Sequence, residues 1–203
     1  MRLLITAGPT REHLDDVRFL SSPSSGRMGF AVAEEAVRRG HEVVLVAGPV
    51  SLPDPEGATV TRVTSALEMR DACVASFPSV NAVVMTASVS DFRPAERLAG
   101  KRPKSELGFT LDLVANPDIL AELGRTRRPG QILIGFALQV ENGPAEARRK
   151  LREKNADWIV LNDPRTFAAE GGEFTLIGRD DLAEPLGALS KTALAARLID
   201  LVR

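Results

Sequence analysis

Glu42-Val43-Val44-Leu45-Val46-Ala47-Gly48-Pro49 is the stretch that decides the fold. A short, continuous apolar run with a Gly-Pro stop reads as a strand buried on both faces. Just before it, Met28, Ala31, Val32, Ala36 and Val37 fall near helical spacing over residues 27–39. Gly40 stands just past them, where such a helix ends. Further upstream, Leu3-Leu4-Ile5-Thr6-Ala7 is a second apolar run. It reads as a first strand rather than a signal peptide, because Pro9-Thr10-Arg11-Glu12 follows at once. Downstream, residues 59–63 read as a strand. Ser65 then caps a helix to about Phe77, with Glu68 completing a capping box, and residues 81–86 form another buried strand. Strands alternating with helices predict an α/β, Rossmann-like, doubly wound and mainly parallel sheet with helices on both faces. Ligands of such sheets sit at the carboxyl ends of the strands. Here those ends are Ala7-Gly8-Pro9-Thr10, Ala47-Gly48-Pro49 and Ala87-Ser88-Val89-Ser90-Asp91.

The alternation breaks over residues 92–107, a stretch without period that holds Arg93, Arg97, Lys101, Arg102 and Lys104. A long, patternless connection in a compact domain predicts a flexible basic lid. Beyond it, Phe109, Leu111 and Leu113 alternate as a half-exposed strand. Asn116-Pro117-Asp118 opens a helix, with Asn116 as the expected cap and Pro117 in the first turn. Strands are predicted at 131–136, 158–161 and 174–177, the last near an edge. Helices are predicted at 144–155 and 187–202. The 203 residues are expected to form one domain, 1–203.

Composition narrows the function. At 44% hydrophobic, the chain can bury a core. The 26 basic and 27 acidic residues leave a net charge of -1, without the basic excess that nucleic-acid binding usually needs. No nucleic-acid partner is therefore expected. Cys73 is the only cysteine, so a disulfide framework or cysteine-rich metal site is not expected. The site is predicted to hold no protein-bound metal. No apolar run is long enough for a membrane span, and a cytoplasmic protein without a membrane partner is the expectation.

Three groups of residues could carry chemistry. Ser22-Pro23-Ser24-Ser25-Gly26-Arg27-Met28-Gly29 joins the first strand region to the first helix. Its hydroxyls, its glycines and the N–H groups of a helix start suit a phosphate. They equally suit a capped helix with a glycine for close packing, and the loop pattern alone does not choose. The segment is neither the Gly-x-Gly-x-x-Gly fingerprint nor a Walker loop. Asp91, at a strand end beside the basic stretch, suits a nucleotide whose phosphates need neutralising when bound, although composition alone favours a solvated loop. Lys150 and Lys154, four apart, share a helix face, where the macrodipole by itself favours cations near the C-terminus.

The chain resembles the phosphopantothenate–cysteine ligase family. The resemblance rests on Ile5 through Glu12 with Asp15 and Val17-Arg18-Phe19, then Ser24 through Ala31, then Val46 through Pro53. It continues in Ala87 through Asp91-Phe92-Arg93-Pro94, Asn116 through Leu120, Gly135-Phe136-Ala137 and Asn162-Asp163. Their order and spacing match over essentially the whole chain. In bacteria this ligase is often fused behind a flavoprotein decarboxylase, and the expectation is a stand-alone, bacterial CTP-dependent type. The resemblance implies that the carboxylate of 4'-phosphopantothenate attacks the α-phosphate of CTP and releases pyrophosphate. The cysteine amine then displaces CMP from the acyl-cytidylate. Mg²⁺ with CTP is the implied cofactor and a homodimer the implied assembly. By position, Ala87, Asp91, Lys101, Pro117, Asp118, Ile119, Leu120, Phe136, Lys150 and Lys154 are the implied nucleotide-binding residues, to which the phosphate-suiting loop adds Ser24, Ser25 and Gly26. Lys101, matching a lid lysine thought to assist catalysis, and Ser22 are the implied catalytic residues.

The sequence departs from the family pattern at three places. Ser22 stands where many members have an asparagine that handles the acyl-cytidylate, so reach and hydrogen-bond geometry differ. Pro103 replaces a usual lysine of the lid, and Gln139 stands where a glutamate is common. Two rival readings remain at this level. One is a nicotinamide-dependent Rossmann oxidoreductase, although the chain has no tyrosine for a Tyr/Lys pair. The other is a degenerate nucleotide-binding domain without turnover.

Overall fold

A computed structural model describes residues 1–101, 108–138, 143–163, 169–179 and 182–202. The apolar runs become parallel strands. β1 (Arg2–Ala7) is followed by a small hairpin, β2 (Arg11–His13) and β3 (Phe19–Ser21), and then by α1 (Arg27–Arg38). β4 (Glu42–Ala47), β5 (Ala58–Arg62), α2 (Ala66–Ser76) and β6 (Ala82–Met85) come next. A ribbon of β7 (Phe92–Pro94) and β8 (Leu113–Ala115) leads to α3 (Ile119–Thr126). The chain continues through β9 (Ile132–Leu138), α4 (Gly143–Glu153), β10 (Trp158–Asn162), β11 (Gly171–Gly178), β12 (Ala183–Ser190) and α5 (Lys191–Asp200).

The large sheet runs β12-β11-β10-β9-β6-β1-β4-β5. Its strands from β5 to β10 pair in parallel, and β11 and β12 extend it antiparallel. This is the Rossmann-like order. The chain leaves β1 toward β4 on one side and later fills β6 on the other, so the switch point lies between β1 and β6.

Alternation along the central strands builds two cores. Leu3, Ile5, Val43, Leu45 and Val84 face α1 and α5, together with Leu194 and Leu198. Leu4, Val44, Val46 and Val83 face the other side, with Met69 and Cys73 of α2, Leu123 of α3 and Leu151 of α4. Each fully buried Leu, Ile or Val side chain contributes about 1.5–3 kcal/mol. Burial pushes the Cys73 thiol up to about 12, so it packs as a small apolar group.

The capping box at α2 forms as expected, with Ser65 accepting from the Glu68 N–H and the Glu68 carboxylate reaching back to the Ser65 N–H. Other expectations need correction. The cap of α3 is Asp118, whose carboxylate accepts from the Ala121 N–H at 3.0 Å, and not Asn116. Asn116 is used elsewhere, donating its amide to the Ser90 carbonyl at 2.8 Å. The strand expected from Phe109 is confined to β8, because only those residues find a partner in β7. β11 lies near an edge as expected, with β12, which the sequence did not predict, as the edge strand itself. The last helix starts at Lys191 rather than 187, where Ser190 caps it.

The expected lid, 92–107, is held at its first part. Phe92–Pro94 pairs with β8. Asp16 accepts from the Arg97 guanidinium at 2.9 Å and from the Gly100 N–H at 2.8 Å, and the Leu98 N–H donates to the Leu14 carbonyl. Arg102, Pro103 and Lys104 of the lid, and Gln139, lie outside the described residues.

Candidate functional site

Buried polar side chains of the β1 end shape the loops at the switch point. The Thr6 hydroxyl accepts from the Ala87 N–H at 3.2 Å, and the Thr86 hydroxyl donates to the Thr6 carbonyl at 2.6 Å. Thr10, fully buried, accepts from the Ser90 N–H at 3.0 Å. Glu12 takes the Ala66 N–H at 2.9 Å, so the first N–H of α2 ends on a buried carboxylate. Asp15, also fully buried, accepts the N–H groups of Val17 and Arg18 and the Arg18 guanidinium. These residues hold the loops after β1 and β6 side by side; they are scaffold to the site.

Between these loops a cavity of about 130 Å³ opens. That is about ten times the roughly 10–15 Å³ one water needs, so a ligand group fits. Its wall includes Ser24, Ser25, Gly26, Ala87 and Phe136. Gly26 is the N-cap of α1 at φ 77°, and no side chain caps this helix. A glycine takes that left-handed conformation at little cost. The first-turn N–H groups have no intrahelical acceptor and the helix dipole is positive there, an arrangement that favours an anion.

A second group gathers beside α3. Lys154, just past the end of α4, pairs with Asp118 at 3.1 Å. Its N–H donates to the Lys150 carbonyl, one turn earlier. Pro117 precedes this cap. Ile119 and Leu120 are buried at 3% and 7% exposure because they form the apolar face of α3, so their side chains serve the core. Lys154 also answers a structural need here, the charge of Asp118.

Ser22, Asp91 and Lys101 are not on the cavity wall. Asp91 is exposed, and its carbonyl accepts from the Asn116 N–H at 2.8 Å. Lys101 is exposed directly after Gly100. The Ser22 hydroxyl oxygen is buried and has no hydrogen-bond partner among the described residues.

Sequence reasoning missed Thr86, Asn162, Phe174 and Lys191, which also line the cavity. Asn162 had a signal as part of a quoted motif. Lys191 had one too, a cation at the first position of a helix, where the dipole disfavours it. Among the described residues no group of three or more His, Cys, Asp or Glu side chains could hold a metal ion. No helix of the described residues is long and apolar enough to cross a membrane.

The family model of the DNA/pantothenate metabolism flavoprotein C-terminal domain matches residues 1–203. The coenzyme A biosynthesis bifunctional protein CoaBC of Bacillus subtilis (strain 168) is 40% identical over 202 residues, covering 97% of this chain and 50% of that protein. The chain thus spans about half the length of the curated relatives it matches. The crystal structure of a C-terminal domain of CoaBC superposes with a TM-score of 0.86 at 39% identity, covering 99% of this chain and 93% of that one. A structure of Cab2 in complex with phosphopantothenate-cysteine has a TM-score of 0.79 at 18% identity, covering 99% and 84%, and shares the fold.

Proposed function

The chain belongs to the family of the DNA/pantothenate metabolism flavoprotein C-terminal domain, and from that premise we propose that it is a CTP-dependent phosphopantothenate–cysteine ligase of coenzyme A biosynthesis. One observation carries the reading. Motifs far apart in the chain, Ser24-Ser25-Gly26, Ala87 and Phe136, meet on one cavity at the β1/β6 switch point. An uncapped helix start there suits a phosphate.

In the proposed reaction a carboxylate oxygen of 4'-phosphopantothenate attacks the α-phosphorus of CTP, and pyrophosphate leaves with the bonding pair. The cysteine amine then attacks the acyl carbon, and CMP leaves. The Ser24–Gly26 loop and the first turn of α1 bind phosphate. Phe136 offers an apolar surface, and Asp118 holds Lys154 in place by their ion pair. Lys101 supplies positive charge to the phosphoryl group in transfer. Mg²⁺ would be held mainly by the triphosphate itself, since no described carboxylate lines the cavity, and would supply charge neutralisation to the phosphates.

The protein is expected to release pyrophosphate from CTP only when 4'-phosphopantothenate is present, and CMP only when cysteine is added as well. Nucleotide consumption of equal rate without the acid would identify a nucleotidase instead. Calorimetric CTP binding without any turnover would favour a non-catalytic nucleotide-binding domain.

The assembly we propose is a homodimer. Val17, Phe19 and Leu20 on the first hairpin, and Phe92, Leu113 and Val114 on the β7–β8 ribbon, expose apolar side chains. Exposed apolar surface of this kind marks an interaction site. Sedimentation equilibrium should return twice the chain mass at micromolar concentration, and Phe19→Glu with Leu113→Glu should return the single chain. A wild-type monomer at every concentration would remove the proposal.

A further inference from the structure

We propose that Lys191 is a phosphate-binding residue of this site, a substrate-facing cation at the start of α5 in addition to the loop at the start of α1. The inference rests on the ligase reading for the identity of the substrates, but its observations stand apart from the motifs that carry that reading. Among the described residues, the cavity wall carries two cations, Arg27 and Lys191, and no carboxylate. Arg27 is ion-paired with Glu170. Among the described residues, Lys191 has no carboxylate within ion-pair distance, and its ammonium donates to the Ala169 carbonyl at 2.5 Å.

The position is unfavourable for a lysine in three ways. Lys191 opens α5, at the positive end of the helix dipole, and no acidic residue stands in that first turn. Burial and the nearby Arg27 push its pKa down, while Glu170 offsets only part of this. Its root is nonetheless fixed. The Lys191 N–H donates to the Glu170 carbonyl at 3.0 Å, and Ser190 caps the helix by accepting from the Ala193 N–H at 3.1 Å. A cation rooted where desolvation, a like charge and a dipole all disfavour it is relieved by an anion in the cavity beside it. Lysine suits such a role as a compact point charge on a flexible stem. Local costs of this kind concentrate at functional positions.

The shared chemistry is a phosphate, which two substrates could bring: CTP and 4'-phosphopantothenate. Lys191→Gln is expected to raise the KM of one of them about tenfold or more, the loss typical of a hydrogen bond to a charged group. kcat should fall less than about fivefold, the KM for cysteine should stay within about twofold, and Lys191→Arg should recover part of the loss. A rise for CTP assigns the contact to the nucleotide, and a rise for the acid assigns it to the pantothenate phosphate; either supports the proposal. KM values within about twofold of wild type for both anions, in a variant with an unchanged circular dichroism spectrum, would overturn it. Should the wild type release no pyrophosphate, the ligase reading fails separately. Calorimetric titration of inorganic pyrophosphate and of CTP then decides: weaker binding by Lys191→Gln upholds the cation's role, and binding equal to wild type ends it.

Discussion

Lys101→Ala is expected to slow acyl-cytidylate formation by about 10²–10³-fold, the loss found when one electrostatic stabiliser of a transition state is removed. CTP binding should weaken less, because in the proposed site the triphosphate would also meet the start of α1 and the cations of the cavity wall. The position of Lys101 favours a role in the transition state over one in holding the ground state. It is exposed and off the cavity wall. The residue before it is pinned, with Gly100 at φ 69° and its N–H on the Asp16 carboxylate at 2.8 Å. Hydrogen bonds from Gly100 and Arg97 hold the Asp16 pKa below the usual carboxylate range, so this anchor is ionised at neutral pH. The chain therefore leaves a fixed point at Lys101. Ser22→Ala should fail differently. Its buried hydroxyl oxygen has no partner among the described residues, and a substrate group would supply one. The acyl-cytidylate should still form, while its conversion by cysteine slows roughly tenfold, about the worth of one hydrogen bond. Quenched reactions with and without cysteine, resolved into acyl-cytidylate and CMP, separate the two steps. Wild-type rates for both steps in Lys101→Ala would take this lysine out of the mechanism.

The parts of the fold that were legible in the sequence are those decided by neighbours in the chain. The run Val43 to Ala47 can only be a strand buried on both faces, and Ser65 with Glu68 carries its own cap. β12 was not legible. It is an edge strand, largely exposed, with Pro185 inside it and Gly187 at φ 67°, so it shows neither a clear alternation nor a continuous apolar run. Its pairing with β11 is a tertiary event that overrides weak local preference. Asn116 and Asp118 are both good caps, and the choice fell to a distant carbonyl: Ser90 takes the Asn116 amide, which leaves Asp118 to cap α3. The early part of the expected lid looked patternless because its anchor, Asp16, lies 84 residues away in the chain. The site divides in the same way. Ser24, Ser25 and Gly26 are adjacent and form a recognisable helix start. Asn162, Phe174 and Lys191 reach the cavity only because β10 and then β11 extend the sheet past β9, and α5 packs on α1.

Gly29→Ala is expected to damage both the fold and the candidate site. Gly29 lies in the first turn of α1, against β1. A Cβ there would stand 2.5 Å from the Ala7 Cβ, 2.6 Å from the Thr86 hydroxyl oxygen and 2.8 Å from the Thr6 carbonyl oxygen. None of these is the free end of a long side chain. Ala7 and Thr6 belong to β1, and the Thr86 hydroxyl is fixed by its bond to the Thr6 carbonyl. The only relief is to lift the start of α1 off β1. Overpacking of this kind costs about 1–3 kcal/mol and occasionally more, and with backbone on the receiving side about 3 kcal/mol or more is the expectation here. That is a large share of a total stability of roughly 5–15 kcal/mol. Activity should fall further than stability, because the helix start that must move also forms the cavity wall with Ser25 and Gly26. Gly108→Ala is the control, since no described residue lies within 4 Å of its added Cβ. Urea denaturation followed by circular dichroism should show the midpoint falling for Gly29→Ala and holding for Gly108→Ala. A wild-type midpoint together with wild-type CTP affinity in Gly29→Ala would mean that the helix can shift freely, and that its close approach to β1 is not what shapes the phosphate site.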